Sequence, residues 1–261
     1  MMKGDGFMLI KKISFIFMGI LMLFIFGCAT TKPEIPMDRA SATPGDQVNL
    51  RGKSVKLIGS PITLGKALPS VGLVDALTMN PVDLSKERGS VLLLSVVPSI
   101  DTRVCEEQTH YLGEKGDRLS GNVKRVTISR DTPFAQKRFA KEAKLSNIQY
   151  LSDYKQGDFG RSTGLLVDGS MLLARSVVIV DREGIVRYIQ VVPEMSHLPD
   201  MEKAFEKAME LSKWWVVTLP PNDKEVFKGL VFFITNPSYF FQFFDCAESF
   251  SSFSIRHDLA G

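Results

Sequence analysis

A nearly continuous apolar stretch, Val91–Val97, stands in the body of the chain without the alternation of polar and apolar residues that a half-exposed strand shows. A run of this kind predicts a strand that is buried on both faces, as in the middle of an α/β sheet. Pro98 follows directly and ends the strand, because proline has no backbone N–H to continue the ladder. The pattern therefore predicts a central strand with a sharp stop at its carboxyl end.

Helical spacing begins just after this stop. Asp101 and Thr102 are residue types that favour the N-cap of a helix, and apolar residues such as Val104 and Leu112 then recur at helical intervals. We therefore predict a helix that begins near Thr102 or Arg103.

The other apolar patterns complete one α/β domain. They predict a β-hairpin over 47–57, a buried strand over 123–129, a helix from 133 to about 144, a strand pair over 174–180 and 185–192, and a closing helix over 201–209. The order strand, helix, strand, helix, hairpin, helix predicts a thioredoxin-like fold with an additional hairpin at its N-terminal side.

Composition limits the alternatives. The 261 residues are 44% hydrophobic and 23% charged, which favours one main domain over two large ones. The formal net charge is +3, and Lys3, Lys11 and Lys12 against Asp5 supply +2 of it within residues 1–27, which leaves +1 for the remainder. Because positive and negative charges nearly cancel, the net charge gives no argument for a nucleic-acid partner.

Three cysteines, Cys28, Cys105 and Cys246, are too few for a framework of several disulfides. The sequence has no C-x-x-C pair, and its three histidines are scattered, so we expect neither a metal site nor a bound cofactor. It also lacks a Walker A loop and a G-x-S-x-G motif.

The first 27 residues have the pattern of a secretory signal: Lys11 and Lys12, then a charge-free run over 13–26 that is short for a membrane span. The run ends in Ile25-Phe-Gly-Cys28, which resembles the lipobox of bacterial lipoproteins. That resemblance implies a lipidated Cys28 and an anchored protein on the periplasmic side of the cell envelope. The residue after Cys28 is Ala29 and not an acidic residue, a pattern that resembles outer-membrane rather than inner-membrane sorting if the organism is Gram-negative. A plain transmembrane anchor and an ordinary cleaved signal are the alternatives.

Two further segments differ from the domain over 47–214. Residues 28–46 are rich in Thr, Ser, Pro and Ala and predict a flexible tether. Residues 215–261 form a Phe-rich C-terminal extension, whose Asn236-Pro237 argues against a membrane-spanning helix. Three interpretations of this extension stay open: a patch lying on the membrane, a partner-binding tail, or an irregular addition of little function.

Cys105 falls in the first turn of the predicted helix after Pro98. There the unpaired backbone N–H groups and the positive end of the helix dipole favour a thiolate. Thr102, three residues earlier, can donate a hydrogen bond to the sulfur. Glu106 and Glu107 follow Cys105, and we expect both to face solvent.

The segment Pro98-Ser-Ile-Asp-Thr-Arg-Val-Cys105 resembles the peroxidatic-cysteine loop of the bacterial thiol peroxidases, a branch of the peroxiredoxins. Ser129-Arg-Asp-Thr-Pro-Phe-Ala-Gln-Lys-Arg-Phe139 resembles that family's second signature, and Leu173-Ala-Arg-Ser-Val-Val-Ile-Val-Asp181 its third. Val48–Leu57 resembles the family's N-terminal hairpin, so that the likeness covers roughly residues 46–212.

This resemblance implies an enzyme that reduces hydrogen peroxide or alkyl hydroperoxides through a sulfenic acid on Cys105. Thr102 would align the peroxide, Pro98 would shield the sulfur from water, and Arg175 would stabilise charge on the leaving oxygen. Which peroxide is preferred, and whether the chain forms a homodimer, the sequence leaves open.

The chain departs from the family at residue 140, where the second signature usually ends in the resolving cysteine and this sequence has Ala140. Three routes remain after the sulfenic acid forms. An external thiol, from a thioredoxin-like protein or a small molecule, could reduce Cys105 in a one-cysteine mechanism; Cys246 could resolve; or turnover could be lost.

Two other functions compete with the peroxidase. A membrane-anchored thiol-disulfide oxidoreductase would need C-x-x-C, and Thr102 occupies the first of those positions. A peroxide sensor or a degenerate lipoprotein, in which Cys105 oxidises once without turnover, is compatible with the missing resolving cysteine.

Overall fold

The computed structural model describes residues 33–213 and, beyond them, the backbone of three short strands near the C-terminus. The predicted signal segment, Cys28 and Cys246 lie outside the described residues. By its internal contacts the chain divides into two compact units, Met1–Ile35 and Pro36–Gly261. In the described part, no helix has both the length and the apolar character needed to cross a membrane.

The strands are β1 (Met37–Asp38), β2 (Gln47–Leu50), β3 (Lys53–Ile58), β4 (Leu73–Asp75), β5 (Pro81–Val82), β6 (Val91–Val96), β7 (Val123–Ser129), β8 (Gln149–Ser152), β9 (Leu166–Val167), β10 (Ser176–Val180), β11 (Val186–Val191), β12 (Leu198–Pro199), β13 (Trp215–Val217), β14 (Phe232–Ile234) and β15 (Phe241–Gln242). The α-helices are α1 (Arg103–His110), α2 (Pro133–Ala143), α3 (Asp158–Thr163) and α4 (Met201–Ser212). A π-helical turn, Tyr111–Lys115, and 3₁₀ turns at Leu84–Lys86 and Gly116–Arg118 complete the elements.

Seven strands form the main sheet in the order β11-β10-β6-β7-β8-β4-β5. The neighbours β6, β7 and β8 are parallel, and the flanking pairs are antiparallel. We call the end at which β6, β7 and β8 finish the carboxyl end of the sheet. Strands β2, β3 and β9 form a separate three-stranded sheet, β1 pairs with β12, and β13, β14 and β15 pair with one another.

The central strand β6 is buried along its whole length, as its apolar sequence predicts. Alternate residues contribute to two apolar clusters: Leu92 and Leu94 pack with the β2–β3 hairpin and α3, whereas Val91 and Leu93 pack with α1, α2 and α4. Burial of each such side chain stabilises the fold by about 1.5–3 kcal/mol. The sheet is therefore covered on both faces, and β6 positions whatever follows it.

The hairpin prediction is confirmed. Strands β2 and β3 pair in register across Arg51 and Gly52, which both have positive φ, of 52° and 75°. A two-residue turn of this type matches the twist of the strands it connects, and the glycine supplies one of its left-handed positions without strain.

The structure differs from the predicted tether in its second half. Met37 pairs with Leu198, the amide of Ala42 donates to the Val191 carbonyl, and the amide of Gly45 donates to the Gly164 carbonyl. Composition alone indicated flexibility here because the segment has few apolar residues. Backbone hydrogen bonds, which need no apolar side chain, hold it to the domain instead.

Candidate active site

Cys105 lies in the first turn of α1, at the carboxyl end of the sheet, and its side chain is fully buried. Thr102 is the N-cap residue of α1, but its side chain makes no capping hydrogen bond. Its Oγ1 lies 3.0 Å from Cys105 Sγ and 3.2 Å from the Ser99 carbonyl oxygen. Because a hydroxyl has one proton, Thr102 can donate to the sulfur or to the carbonyl, and the cap position holds it within reach of both.

Arg175 approaches the same sulfur from the neighbouring strand. Ser176, the first residue of β10, lies opposite Val96, the last residue of β6, so Arg175 stands beside the loop that leads to Cys105. Its Nη2 lies 3.3 Å from Sγ, and the residue is only 2% exposed. The register of two antiparallel strands thus brings together residues that are 70 positions apart.

The guanidinium is held by neutral acceptors. Nε donates to the Met195 carbonyl at 2.9 Å, and Nη1 donates to Gln108 Oε1 at 2.8 Å. Gln108 in turn donates to Ser95 Oγ at 2.8 Å. Within residues 33–213, no carboxylate forms an ion pair with Arg175, and a buried charge without a counterion is costly. A thiolate on Cys105 would supply the missing negative charge.

Gln108 is a site residue that the sequence interpretation missed. It is fully buried although polar, and it lies one helical turn after Cys105 on the same face of α1. A glutamine three residues after the cysteine, in a helix start where apolar residues would be expected to face the core, is the signal that could have identified it.

Asp131 fixes the loop before the cysteine. Its carboxylate accepts from Ser99 Oγ at 2.8 Å and from the Ile100 amide at 2.6 Å. Arg138 on α2 adds an exposed ion pair with Asp101, at 3.2 Å. Residues of the second signature therefore hold the loop of the first one in place.

The remaining predicted residues take the following positions. Pro98 is buried two residues after the end of β6, in the loop that leads to Cys105. Glu106 and Glu107 are exposed, as expected. Ala140 is buried on α2 and belongs to the same apolar cluster as Cys105. The position where the family usually has its resolving cysteine thus lies in the same apolar cluster as Cys105, but alanine offers only a methyl group there.

One carboxylate joins the β2–β3 turn to the loop that holds Arg175. Glu194 Oε1 and Oε2 accept from the amides of Arg51 and Gly52, each at 2.9 Å, and Oε1 accepts from Ser196 Oγ at 2.6 Å. Partial burial by itself raises the pKa of Glu194, but the hydrogen bonds from Ser196, Gly52 and Arg51 outweigh it and lower the pKa to about 2. Glu194 therefore stays ionised, and its hydrogen bonds join the turn to the residue next to Met195, whose carbonyl accepts from Arg175.

No cluster of three His, Cys, Asp or Glu side chains suited to a metal ion occurs among the described residues. The groups around Cys105 are instead a hydroxyl and a guanidinium, each aimed at the sulfur. Both are hydrogen-bond donors that stabilise negative charge. The arrangement suits the attack of a thiolate on an electrophilic oxygen.

Comparison with known proteins extends these findings. The chain matches the Redoxin family over residues 63–205. A thiol peroxidase of Staphylococcus saprophyticus is 39% identical over 160 residues, which are 61% of this chain and 96% of that protein. A thiol peroxidase of Bacillus subtilis is 35% identical over 167 residues, which are 64% of this chain and 99% of that protein.

Solved structures agree with the architecture. The crystal structure of a peroxiredoxin-like protein from Aquifex aeolicus is 32% identical with a TM-score of 0.60, over 66% of this chain and 98% of that one. The thiol peroxidase from Chromobacterium violaceum, 21% identical, gives a TM-score of 0.54 over 63% of this chain and 98% of its own. The predicted thioredoxin-like fold is thereby confirmed.

Proposed function

This chain belongs to the redoxin family, among its bacterial thiol peroxidases, and from this premise we propose that Cys105 is the sulfur that attacks the peroxide. The activity is thiol-dependent reduction of peroxides, the chemistry of this family. The single observation that carries the assignment is the position of Sγ, 3.0 Å from Thr102 Oγ1 and 3.3 Å from Arg175 Nη2.

The first half-reaction follows from these contacts. The Cys105 thiolate attacks the terminal oxygen of a hydroperoxide in line with the O–O bond; an S–O bond forms as the O–O bond breaks. The sulfur becomes a sulfenic acid, and the leaving oxygen takes a proton and departs as an alcohol or water. Thr102 donates to the attacked oxygen, and Arg175 stabilises the charge that develops on the leaving one. Pro98 closes the side of the loop from water.

The second half-reaction takes electrons from outside the domain. With Ala140 in place of the resolving cysteine, we propose a one-cysteine cycle. An external thiol attacks the sulfenic acid and releases water, and a second thiol reduces the resulting mixed disulfide, which returns the Cys105 thiol. The reductant is a thioredoxin-like protein or a small-molecule thiol.

We further propose that the enzyme is held at the bacterial cell envelope by a lipid on Cys28. The support is the sequence alone: a charged start, a short apolar run and a lipobox-like ending at Cys28. On this proposal residues 1–27 are removed, Cys28 carries acyl chains, and it takes no part in redox chemistry.

A mass experiment tests the assignment of Cys105. The purified protein is treated with one equivalent of hydrogen peroxide in the presence of dimedone, which traps sulfenic acids, and its intact mass and peptides are measured. We expect one dimedone adduct, confined to the Cys105 peptide and absent from Cys105→Ser. An adduct elsewhere, or none, would refute the assignment.

A peroxide sensor that oxidises once is the second candidate, and the alanine at residue 140 favours it. Consumption of many equivalents of peroxide per protein molecule with added thiol would exclude the sensor. Oxidation that stops after one equivalent, with every thiol tried, would favour it.

A further inference from the structure

Two loops lie side by side at the carboxyl end of the sheet. Strands β6 and β7 pair in parallel with Val96 opposite Ile128, and the Val97 amide donates to the Ile128 carbonyl at 2.9 Å. The loop that leads from β6 to Cys105 therefore runs beside the loop that leads from β7 to α2. Asp131 lies in the second of these loops.

The loop before Cys105 contains a β-turn over residues 99–102. The Thr102 amide donates to the Ser99 carbonyl at 3.3 Å, and Thr102 Oγ1 lies 3.2 Å from the same carbonyl oxygen. The turn thus sets where the Thr102 hydroxyl stands, 3.0 Å from Cys105 Sγ. A displacement of Ser99 would move this hydroxyl relative to the sulfur.

The Asp131 carboxylate holds the first half of the turn. Its Oδ1 accepts from Ser99 Oγ at 2.8 Å, and its Oδ2 accepts from the Ile100 amide and from Ser129 Oγ, each at 2.6 Å. A carboxylate has two acceptor oxygens and can serve all three donors. An asparagine side chain has only one acceptor oxygen, so it could not serve Ser99 and Ile100 together.

Asp131 is itself fixed by the sheet. Ser129, the last residue of β7, is fully buried and accepts from Gln136 Nε2 at 2.7 Å. Gln136 is also fully buried and donates to the Leu151 carbonyl at 3.0 Å, and Ser152 Oγ donates to the Asp131 carbonyl. These contacts tie Asp131 to the ends of β7 and β8 and to α2, so its carboxylate is a fixed point against which the turn is held.

We propose that Asp131 is a positioning residue for the attack on peroxide. By fixing the turn over residues 99–102, it keeps the Thr102 hydroxyl within hydrogen-bonding distance of the Cys105 sulfur. Asp131 acts on the reaction only by way of this hydroxyl. The inference rests on the proposed function, in which Thr102 donates to the attacked oxygen.

A double-mutant cycle on the full chain tests the proposal. The rate of Cys105 oxidation is measured by rapid mixing with hydrogen peroxide and dimedone trapping in Asp131→Asn, in Thr102→Val and in the double variant. If Asp131 acts through the Thr102 hydroxyl, its substitution matters only while that hydroxyl is present. We expect Asp131→Asn to slow oxidation about fivefold in the otherwise unaltered chain and by less than about twofold in the Thr102→Val background.

Thr102→Ser keeps the hydroxyl and serves as the matched background. Asp131→Asn should slow oxidation about fivefold there as well. Equal slowing in the Thr102→Val and Thr102→Ser backgrounds would overturn the proposal, because it would show that Asp131 only supports the fold. An unaltered rate in Asp131→Asn would also overturn it.

Ser99→Ala gives a second cycle that leaves Asp131 in place and decides the question if Asp131→Asn does not fold. It removes one of the hydrogen bonds between the turn and the carboxylate. Slowing that is confined to chains with the Thr102 hydroxyl supports the proposal. Slowing of equal size in Thr102→Val contradicts it.

Asp83→Asn is the matched control for the loss of a carboxylate. Asp83 likewise accepts from two serine hydroxyls and one backbone amide: Ser70 Oγ at 2.7 Å, Ser85 Oγ at 2.7 Å and the Ser85 amide at 3.0 Å. It follows the edge strand β5, which β7, β8 and β4 separate from β6. Asp83→Asn should leave the rate of Cys105 oxidation unchanged. Slowing as large as that in Asp131→Asn would mean that a general loss of stability sets the rate, and the proposal would fail.

Alkylation by iodoacetamide, followed on the Cys105 peptide, separates failure of this proposal from failure of the proposed function. Alkylation needs no peroxide, but it also depends on the hydrogen bond that Thr102 donates to the sulfur. The same dependence on the Thr102 hydroxyl in alkylation, without any oxidation by peroxide, would support the positioning by Asp131 and refute the peroxidase. Rapid oxidation of Cys105 with equal slowing by Asp131→Asn in both backgrounds would refute the positioning and leave the peroxidase intact.

Discussion

The residues that contact the Cys105 sulfur and the position of the family's resolving cysteine have opposite contents. Thr102 and Arg175 each direct a hydrogen-bond donor at the sulfur. Gln108 and the Met195 carbonyl accept from Arg175 and hold it in position. On the side of α2, Ala140 presents only a methyl group. The difference shows that the two half-reactions have separate requirements. Attack on peroxide needs a fixed, buried set of donors, whereas recycling needs only a thiol, which another molecule can bring.

The largest effect should come from removing the charge on the attacking side. In Arg175→Met we expect the rate of Cys105 oxidation to fall about 10²–10³-fold, because a preorganised donor to the developing negative charge is lost. The rate is measured by rapid mixing with peroxide and dimedone trapping.

Arg175→Lys is the matched control for charge. It keeps the positive charge but loses the fork that contacts Gln108 and Met195, so its rate should lie between those of Arg175→Met and the unaltered protein. Circular dichroism checks that both variants fold. Unaltered oxidation in Arg175→Met would mean that the guanidinium is only a structural support.

The second-largest effect on the rate of Cys105 oxidation should come from removing the hydroxyl of Thr102. Thr102→Val keeps the shape and removes the donor to Sγ, so we expect oxidation of Cys105 to slow by about tenfold or somewhat more, the usual value of a hydrogen bond to a charged group. Thr102→Ser keeps the donor and should react nearly as fast as the unaltered protein. If Thr102→Ser slows as much as Thr102→Val, the methyl group and not the hydroxyl matters.

The recycling step can be altered at residue 140 without changing Thr102 or Arg175, which act in the attack on peroxide. In Ala140→Cys, peroxide should produce an intramolecular disulfide with Cys105, seen as the loss of two hydrogens in the intact mass and as a reduced yield of dimedone adduct. The initial oxidation rate should not change. The buried position makes the extra sulfur cost about 1 kcal/mol of stability or slightly more.

Ala140→Ser controls for the added polar atom. A dimedone yield that falls equally in Ala140→Ser would show that packing, not disulfide formation, had altered the site. A persistent sulfenic acid in Ala140→Cys would show that α1 and α2 stay too firmly fixed to let the two sulfurs meet.

The smallest effect concerns the support behind Arg175. Glu194→Gln should lower the free energy of unfolding near neutral pH by about 1 kcal/mol, at the low end for hydrogen bonds to a charged group since the carboxylate lies near the surface. The folded pKa of about 2 lies below the ordinary value of 4.5, so the carboxylate stabilises the fold above pH 4.5. This contribution is lost as pH falls from about 4.5 toward 2.

Urea unfolding of both forms across this pH range gives the difference directly. We expect it to be largest near neutral pH and to shrink in acid. A difference that is the same at every pH would show that Glu194 acts through packing and not through its charge.

Much of the fold was predictable because its signals are local. The run at β6, the N-cap types before α1 and α2, and the turn of the β2–β3 hairpin each depend on a few neighbouring residues. The short helix α3 gave no comparable signal. It begins after Gly157 and ends at Gly164, both with positive φ, and six residues are too few for an apolar stripe to emerge.

The residues of the site likewise fall into those with a local signal in the sequence and those without one. Cys105 and Thr102 are near neighbours in one helix start, so their meeting could be predicted from spacing. Arg175 was identified only through the family resemblance. Gln108 and Met195 were missed, since their contacts depend on the register between β6 and β10 and on a backbone carbonyl that no sequence pattern marks.

The register between β6 and β10 limits which insertions and deletions the protein can tolerate. Arg175 reaches the sulfur because Ser176 stands opposite Val96, and successive side chains on a strand point to opposite faces. Loss or gain of one codon within Ser176–Val180 would shift this alignment and point the guanidinium away from Cys105, even where the apolar residues still fill the core. The turn around Gly169 lies outside the pairing of β6 with β10, so we expect the same change in length there to leave the alignment of Ser176 with Val96 in place.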